Sequence, residues 1–282
     1  MEKIKVIYVF GSGHTGSTLA SLLLGSHSRV ECVGEMKAYG RSIESGRPCN
    51  CGKSVAECDY WQSVHGRLGL GAGVPFPGLN EENRAVFDQA NGDFIEAVLA
   101  VSGKGCFCDS SKSKRRLIAY LDSEVFDPMV LHLVRDPRAV ACSNLRKGRS
   151  YWGYLSRWRK RNFKEKEMLF DAGLAENKYQ CVRYEDLVLQ PEATLSSFME
   201  KTGLVFEAQQ LELWNRGNHH IAGNHMAKST GSELRLDRKY IDRLSLLQWA
   251  GASALMRSEL RTFAYPMSRA ETSRLLRGVA DR

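Results

Sequence analysis

Several short stretches of this chain combine backbone and side chains suited to holding anions. Gly11-Ser12-Gly13-His14-Thr15-Gly16-Ser17-Thr18 lies between a β-branched, apolar run and a leucine-rich segment. Glycines there let successive amide N–H groups turn toward one anion, and the N-terminus of a following helix adds its partial positive charge. The spacing is that of the ATP-binding loop G-x-x-x-x-G-K-[ST], but Ser17 stands where the lysine belongs. That lysine normally reaches the β- and γ-phosphates, so triphosphate chemistry is disfavoured while a terminal 5′-phosphate still fits. A glycine-rich turn without a ligand is the plainer alternative.

Arg135 closes a second apolar run, and Ser143 follows it by eight residues. With Pro137 opening a helix, Ser143 falls nearly two turns in. Both can then converge on one phosphate, arginine as a planar fork and serine as a hydroxyl donor. An ion pair between Arg135 and Asp136 is the alternative. Glu35 ends Val33-Gly34-Glu35 and offers a carboxylate just beyond a short strand, with Glu31 as its rival inside the strand. A capping or ion-pairing carboxylate is the plainer reading of Glu35. Lys112, in Asp109-Ser110-Ser111-Lys112, is either a charge at the site or one member of a solvated basic run.

Cys49, Cys51 and Cys58 crowd one short stretch. A zinc site needs a fourth ligand, no Cys-x-x-Cys pair occurs, and His65 is the only nearby histidine. Structural thiols or one local disulfide are expected, and no metal. No acidic set suits a divalent ion either.

These residues need a scaffold. Residues 4–10 read as a buried strand, 16–26 as a helix and 30–33 as a second strand. Residues 40–80, rich in Gly, Pro and Cys, read as an irregular insertion. A helix over 83–101, a strand over 106–109, a strand over 129–134 and a helix from 137 to about 147 follow. Residues 152–172 read as helical, 179–183 as a strand, 191–202 as a helix and about 240–260 as a last helix. The alternation implies βαβ units and an α/β fold, a single domain over residues 1–282 with a central, mainly parallel sheet flanked by helices. Ligands of such sheets bind beyond the carboxyl ends of the strands, where the polar loops above fall.

On these motifs the chain resembles the sulfotransferase superfamily that uses 3′-phosphoadenosine 5′-phosphosulfate (PAPS). His14-Thr15-Gly16-Ser17-Thr18-Leu19 is similar to its 5′-phosphosulfate loop, [KR]-[ST]-G-[ST]-T-x, with histidine at the Lys/Arg position. The resemblance implies that Gly13, His14, Thr15, Gly16, Ser17 and Thr18 hold the 5′-phosphosulfate. It implies that Arg135 and Ser143 bind the 3′-phosphate, with Lys147, or Arg146 beside it, as a further cation. Val182-Arg183-Tyr184-Glu185-Asp186-Leu187 resembles a segment whose tyrosine contacts the adenine, which gives that role to Tyr184; a buried core tyrosine is the alternative. A late basic loop is similarly matched by residues 219–228, giving Gly223, Asn224 and Lys228. By the same resemblance Glu35 is the catalytic base, and Lys112 and His14 stabilise the transferring group. Histidine titrates near ~6.5, so a role for His14 makes activity pH-dependent in the mildly acidic to neutral range. The product is 3′,5′-phosphoadenosine, and no metal is required.

The formal charge of +8 suits an anionic ligand. Its basic residues are scattered and no nucleic-acid-reading motif occurs, so nucleic acid is not expected as a partner. Residues 157–166 read as a solvated basic face, or as one that attracts an acidic acceptor. The acceptor is expected to be a small molecule, carbohydrate or lipid carrying a hydroxyl or amine, in a pocket shaped by residues 36–105. No apolar run approaches a membrane span and no secretory signal is visible, so a cytoplasmic protein with reduced thiols is expected. Two rival classes stay open: a magnesium-dependent P-loop kinase, and a non-catalytic binder of adenine nucleotide or polyanion.

Overall fold

The run Ile-Lys-Val-Ile-Tyr-Val-Phe-Gly forms strand β1 (Ile4–Gly11), buried from Val6 onward. Val6, Tyr8 and Phe10 pack into one core, while Ile7 and Val9 pack into another on the opposite face. Both faces are covered, which is why this segment is a continuous apolar run and not an alternating one. The structure, a computed structural model, describes residues 2–145, 148–212, 218–221 and 234–278.

Along the chain follow α1 (Ser17–Gly25), β2 (Val30–Cys32), α2 (Tyr39–Glu44), α3 (Asp59–Arg67), α4 (Arg84–Ser102), β3 (Cys106–Asp109), α5 (Lys114–Leu121), β4 (Phe126–Val134), α6 (Pro137–Leu145), α7 (Tyr151–Arg159), α8 (Glu165–Asp171) and β5 (Tyr179–Arg183). The sheet has the order β2-β3-β1-β4-β5, and every pairing is parallel. The expected α/β fold with a parallel sheet and flanking helices is therefore present. No helix among the described residues is long and apolar enough to cross a membrane.

Local chemistry explains most element boundaries. Asn83 caps α4 by accepting the Val86 amide, and Gly103 ends it in the left-handed conformation. β4 starts at Phe126, earlier than expected, because Pro128 reads as a strand breaker. The proline is tolerated since β5 pairs with β4 only from Val130 onward, beyond the missing N–H. Residues 40–80, expected to form an irregular insertion, hold all of α3 and most of α2. The expected helix over 152–172 is interrupted by a π-helical turn, Lys160–Lys164. The last expected helix is broken into Tyr240–Arg243, Leu246–Leu255 and Arg257–Thr262, the second opened by a Ser245/Gln248 capping box.

The π turn is pinned from inside. Asn162, fully buried, meets His132 Nε2 through its Oδ1 at 2.8 Å and donates to the Trp158 carbonyl at 2.8 Å. Tyr179 Oη lies 2.6 Å from the other imidazole nitrogen. Burial lowers the His132 pKa to about 4, against the pull of the Asn162 hydrogen bond. The unfolded value is near ~6.5, so the native state excludes a proton that the unfolded chain takes up. This neutral histidine therefore stabilises the fold fully above pH ~6.5, and that contribution drains away as pH falls toward 4, by roughly 3 kcal/mol in all. Denaturant midpoints measured from pH 7.5 to 4 are expected to fall less steeply for His132→Gln than for the parent chain. Parallel curves would show that His132 carries no such linkage.

Candidate active site

The loop between β1 and α1 is shaped by two close approaches. A Cβ at Gly11 (φ +145°) would lie 2.4 Å from the Leu133 carbonyl oxygen, and one at Gly16 (φ +91°) would lie 2.4 Å from the Tyr184 ring. Only glycine allows the loop to press this closely on β4 and on Tyr184. Thr15 Oγ1 donates to the Ser12 carbonyl at 2.8 Å, tightening the turn. His14 has φ +67°, a left-handed conformation uncommon for a side-chain-bearing residue. Gly16 caps α1 without a side-chain hydrogen bond, and the first turn holds no acidic residue. The positive end of the helix is thus left for an outside anion. A Cβ at Gly13 would meet nothing within 4 Å, so the loop is open there. A cavity of about 310 Å³ lies beside Ser12 and Gly13, walled by Arg157, Trp158, Lys160 and Arg161.

Arg135 leaves the end of β4 and binds the loop from below. Its Nη1 donates to the His14 carbonyl at 3.1 Å, and its Nη2 donates to the Asp237 carbonyl at 2.6 Å and pairs with the Asp237 carboxylate at 3.2 Å. Arg135 Nε is buried with no hydrogen-bond partner among the described residues. The alternative ion pair with Asp136 does not form, because Asp136 pairs with Arg138 at 2.7 Å and accepts from Tyr240 Oη at 3.1 Å. Ser143 lies on α6 as expected, with its hydroxyl donating to the Ala139 carbonyl of its own helix at 3.0 Å. Tyr184 is 3% exposed, with the Arg135 guanidinium 4.5 Å from its ring centroid. That ring packs against Gly16 and carries the Arg135 guanidinium on its face. Lys147, Gly223, Asn224 and Lys228 lie outside the described residues.

Glu35 and Lys112, far apart in sequence, meet. Lys112 Nζ lies 2.6 Å from Glu35 Oε1 and donates to the Ser110 carbonyl at 3.0 Å. Gly34 (φ +100°) turns the chain beyond β2, and its carbonyl accepts the Ser110 amide at 3.2 Å, joining the two loops. The Lys112 turn is held by Asp109, which accepts the Ser111 amide at 2.9 Å and pairs with buried Arg116 at 2.6 Å. Lys112 itself has φ +55°. The rival Glu31 is engaged elsewhere, paired with Lys104 at 2.8 Å and bonded to Tyr60 Oη at 3.0 Å.

Two basic residues of this site were not singled out from sequence. Lys37 Nζ lies 3.6 Å from Glu35 Oε2. Burial holds its ammonium below the usual lysine range; Glu35 opposes the shift, and Lys112 and Arg161 add to it. Arg161, on the π turn, sits 5.3 Å from the centroid of Phe10 and pairs with Glu165. Its only sequence signal is membership of the basic stretch 157–166, which reads as a solvated face or as one that attracts an acidic acceptor.

The cysteine stretch needs a correction. The fourth group beside Cys49, Cys51 and Cys58 is His219, not His65. His65 turns inward instead, 2.6 Å from Tyr39 Oη and accepting the Gly73 amide. No local disulfide forms, since all three cysteines are free.

A protein-family model described as the sulfotransferase family matches residues 7–208. The fold is similar to the sulfotransferase domain from the curacin biosynthetic pathway, with a TM-score of 0.60 at 17% identity, covering 95% of this chain and 100% of that one. It is likewise similar to the sulfotransferase domain of the Synechococcus olefin synthase, with a TM-score of 0.60 at 21% identity, covering 94% of this chain and 97% of that one. No curated protein matches the sequence.

Proposed function

The chain belongs to the sulfotransferase family, and from that premise we propose that it moves a sulfuryl group from PAPS to an acceptor hydroxyl or amine, with Glu35 as base. The observation that carries this reading is the order of groups along one edge of the sheet. Glu35 follows β2, Lys112 follows β3, the phosphate loop follows β1 and Arg135 follows β4, and these strands are neighbours in that order. At ~4.8 Å per strand, the row spans roughly 14 Å at the carboxyl ends. It presents base, cation, 5′-phosphate loop and second phosphate anchor in the sequence in which an acceptor and PAPS place their own groups.

The donor fits this chain's residues on two grounds. The buried Arg135 Nε has no hydrogen-bond partner among the described residues, and α1 has a positive end without a side-chain cap. The 5′-phosphate sits on the loop amides, and the 3′-phosphate takes Arg135 and the Ser143 hydroxyl. The acceptor oxygen attacks sulfur in line as its proton passes to Glu35. An O–S bond forms, and the S–O bond to the 5′-phosphate breaks. Charge gathers on that bridging oxygen, where Lys112 and His14 stabilise it. Lys112 is already held at the site by its contact with Glu35, so little reorganisation is needed. Lys37, Lys160 and Arg161 extend the positive field toward the acceptor side.

Transfer of labelled sulfate from PAPS to a panel of hydroxyl and amine acceptors tests the activity. The donor assignment has its own test. Arg135→Ala is expected to weaken 3′,5′-phosphoadenosine binding by about 1.5–3 kcal/mol, roughly 10–150-fold, the usual worth of a hydrogen bond to a charged group. Binding of 5′-AMP, which lacks the 3′-phosphate, is expected to change little. Equal losses for both ligands would make Arg135 only a support for the His14 carbonyl.

A further inference from the structure

We propose that Cys49, Cys51, Cys58 and His219 form a structural zinc site. Their ligand atoms all lie within 4.8 Å of one another. Cys51 Sγ and Cys58 Sγ are 3.6 Å apart, and His219 Nδ1 is 3.3 Å from Cys58 Sγ and 3.6 Å from Cys49 Sγ. With Zn–S near ~2.3 Å and Zn–N near ~2.0 Å, a tetrahedron has S···S edges of about 3.8 Å and S···N edges of about 3.5 Å. The three distances are those edges. A disulfide would need sulfurs ~2.05 Å apart and would leave the third thiol and the imidazole unexplained.

The surroundings are built for four fixed ligands. Cys49 donates its amide to the Lys53 carbonyl, and Gly52 (φ +91°) returns its amide to the Cys49 carbonyl, both at 2.9 Å. This tight turn brings Cys49 and Cys51 to one side. His219 is oriented by stacking on Tyr60 at 4.4 Å, while Trp61 Nε1 donates to its carbonyl at 3.0 Å. Backbone and side chain of Asn50 bond to His220 and Asn218. Cys49 and Cys58 are buried, His219 is half-buried and Cys51 is exposed, so the cluster reaches the surface at Cys51. Three thiolates and one imidazole as a donor set select zinc over the oxygen-seeking cations.

The ion joins segments more than 150 residues apart in the chain. Two residues after His219, the Ile221 amide donates to the Val33 carbonyl at 3.2 Å, two residues before Glu35. Zinc at this point therefore fastens the 218–221 segment to the base of the Glu35 loop. It acts on architecture, since four protein ligands leave no position for substrate.

Elemental analysis of untagged full-length protein, purified under reducing conditions, tests the site. One zinc per chain is expected, lost in Cys58→Ser and in His219→Ala and retained in Cys181→Ser. Should the ligand variants not fold, cobalt exchange on the parent chain decides. Tetrahedral ligand-field bands with an intense thiolate-to-cobalt charge-transfer band are expected. A zinc-free parent chain without that cobalt spectrum would overturn the proposal, as would zinc that survives both ligand substitutions. A disulfide among Cys49, Cys51 and Cys58 in protein kept reduced would overturn it equally.

Discussion

Replacing Glu35 by glutamine is expected to lower turnover roughly 10²–10⁴-fold, the usual contribution of general acid–base catalysis, while leaving 3′,5′-phosphoadenosine affinity near that of the parent chain. Glutamine keeps the shape and an oxygen that still accepts from Lys112, whose ammonium lies 2.6 Å from Glu35 Oε1. What it loses is basicity. A group that only takes the acceptor's proton acts in the transition state, so rate suffers and ground-state binding does not. The position of Glu35 beyond β2, three strands from Arg135, keeps the change away from the proposed donor phosphates. His14→Ala is the informative contrast, since a loop residue is expected to affect both binding and rate. Near-normal turnover in Glu35→Gln, measured with the same acceptor, would move the base role to a histidine. His14 is then the first candidate, because His219 turns its Nδ1 toward the cysteines.

The layout of this site was legible in sequence wherever the signal is local. β3 and β5 fall where the apolar runs end, and the loop between β1 and α1 follows from its glycines. Glu35 and Lys112 were each placed at a strand end, but their contact depends on β2 pairing with β3, which no local pattern states. Long-range partners were the harder part. His219 is 161 residues from Cys58, so a search for a nearby fourth ligand stops at His65. Lys37 carries no motif and acquires meaning only once Glu35 turns toward it. Arg161 was hidden by a helical reading of residues 152–172, because the π turn comes from the buried Asn162–His132 contact and not from helix periodicity. Pro128 concealed the start of β4 for a different reason, since proline argues against a strand unless one side is unpaired.

The second large effect concerns which nucleotide the loop accepts. Ser17 occupies the place of the lysine that an ATP-binding loop sends to the β- and γ-phosphates, and its side chain is buried. In the proposed donor mode Arg135, whose buried Nε has no hydrogen-bond partner among the described residues, instead serves as a separate anchor one strand away. One such charged contact is worth about 1.5–3 kcal/mol, and in the proposed donor mode the Ser143 hydroxyl turns from the Ala139 carbonyl, to which it donates here at 3.0 Å, to the 3′-phosphate as a second one. The most direct measurement is a calorimetric titration of the full-length protein with 3′,5′-phosphoadenosine and with ATP, without magnesium. 3′,5′-Phosphoadenosine is expected to bind at least ~10²-fold more tightly, the combined worth of those contacts. ATP binding as tight or tighter, or ATP binding that appears on adding magnesium, would contradict PAPS as the donor.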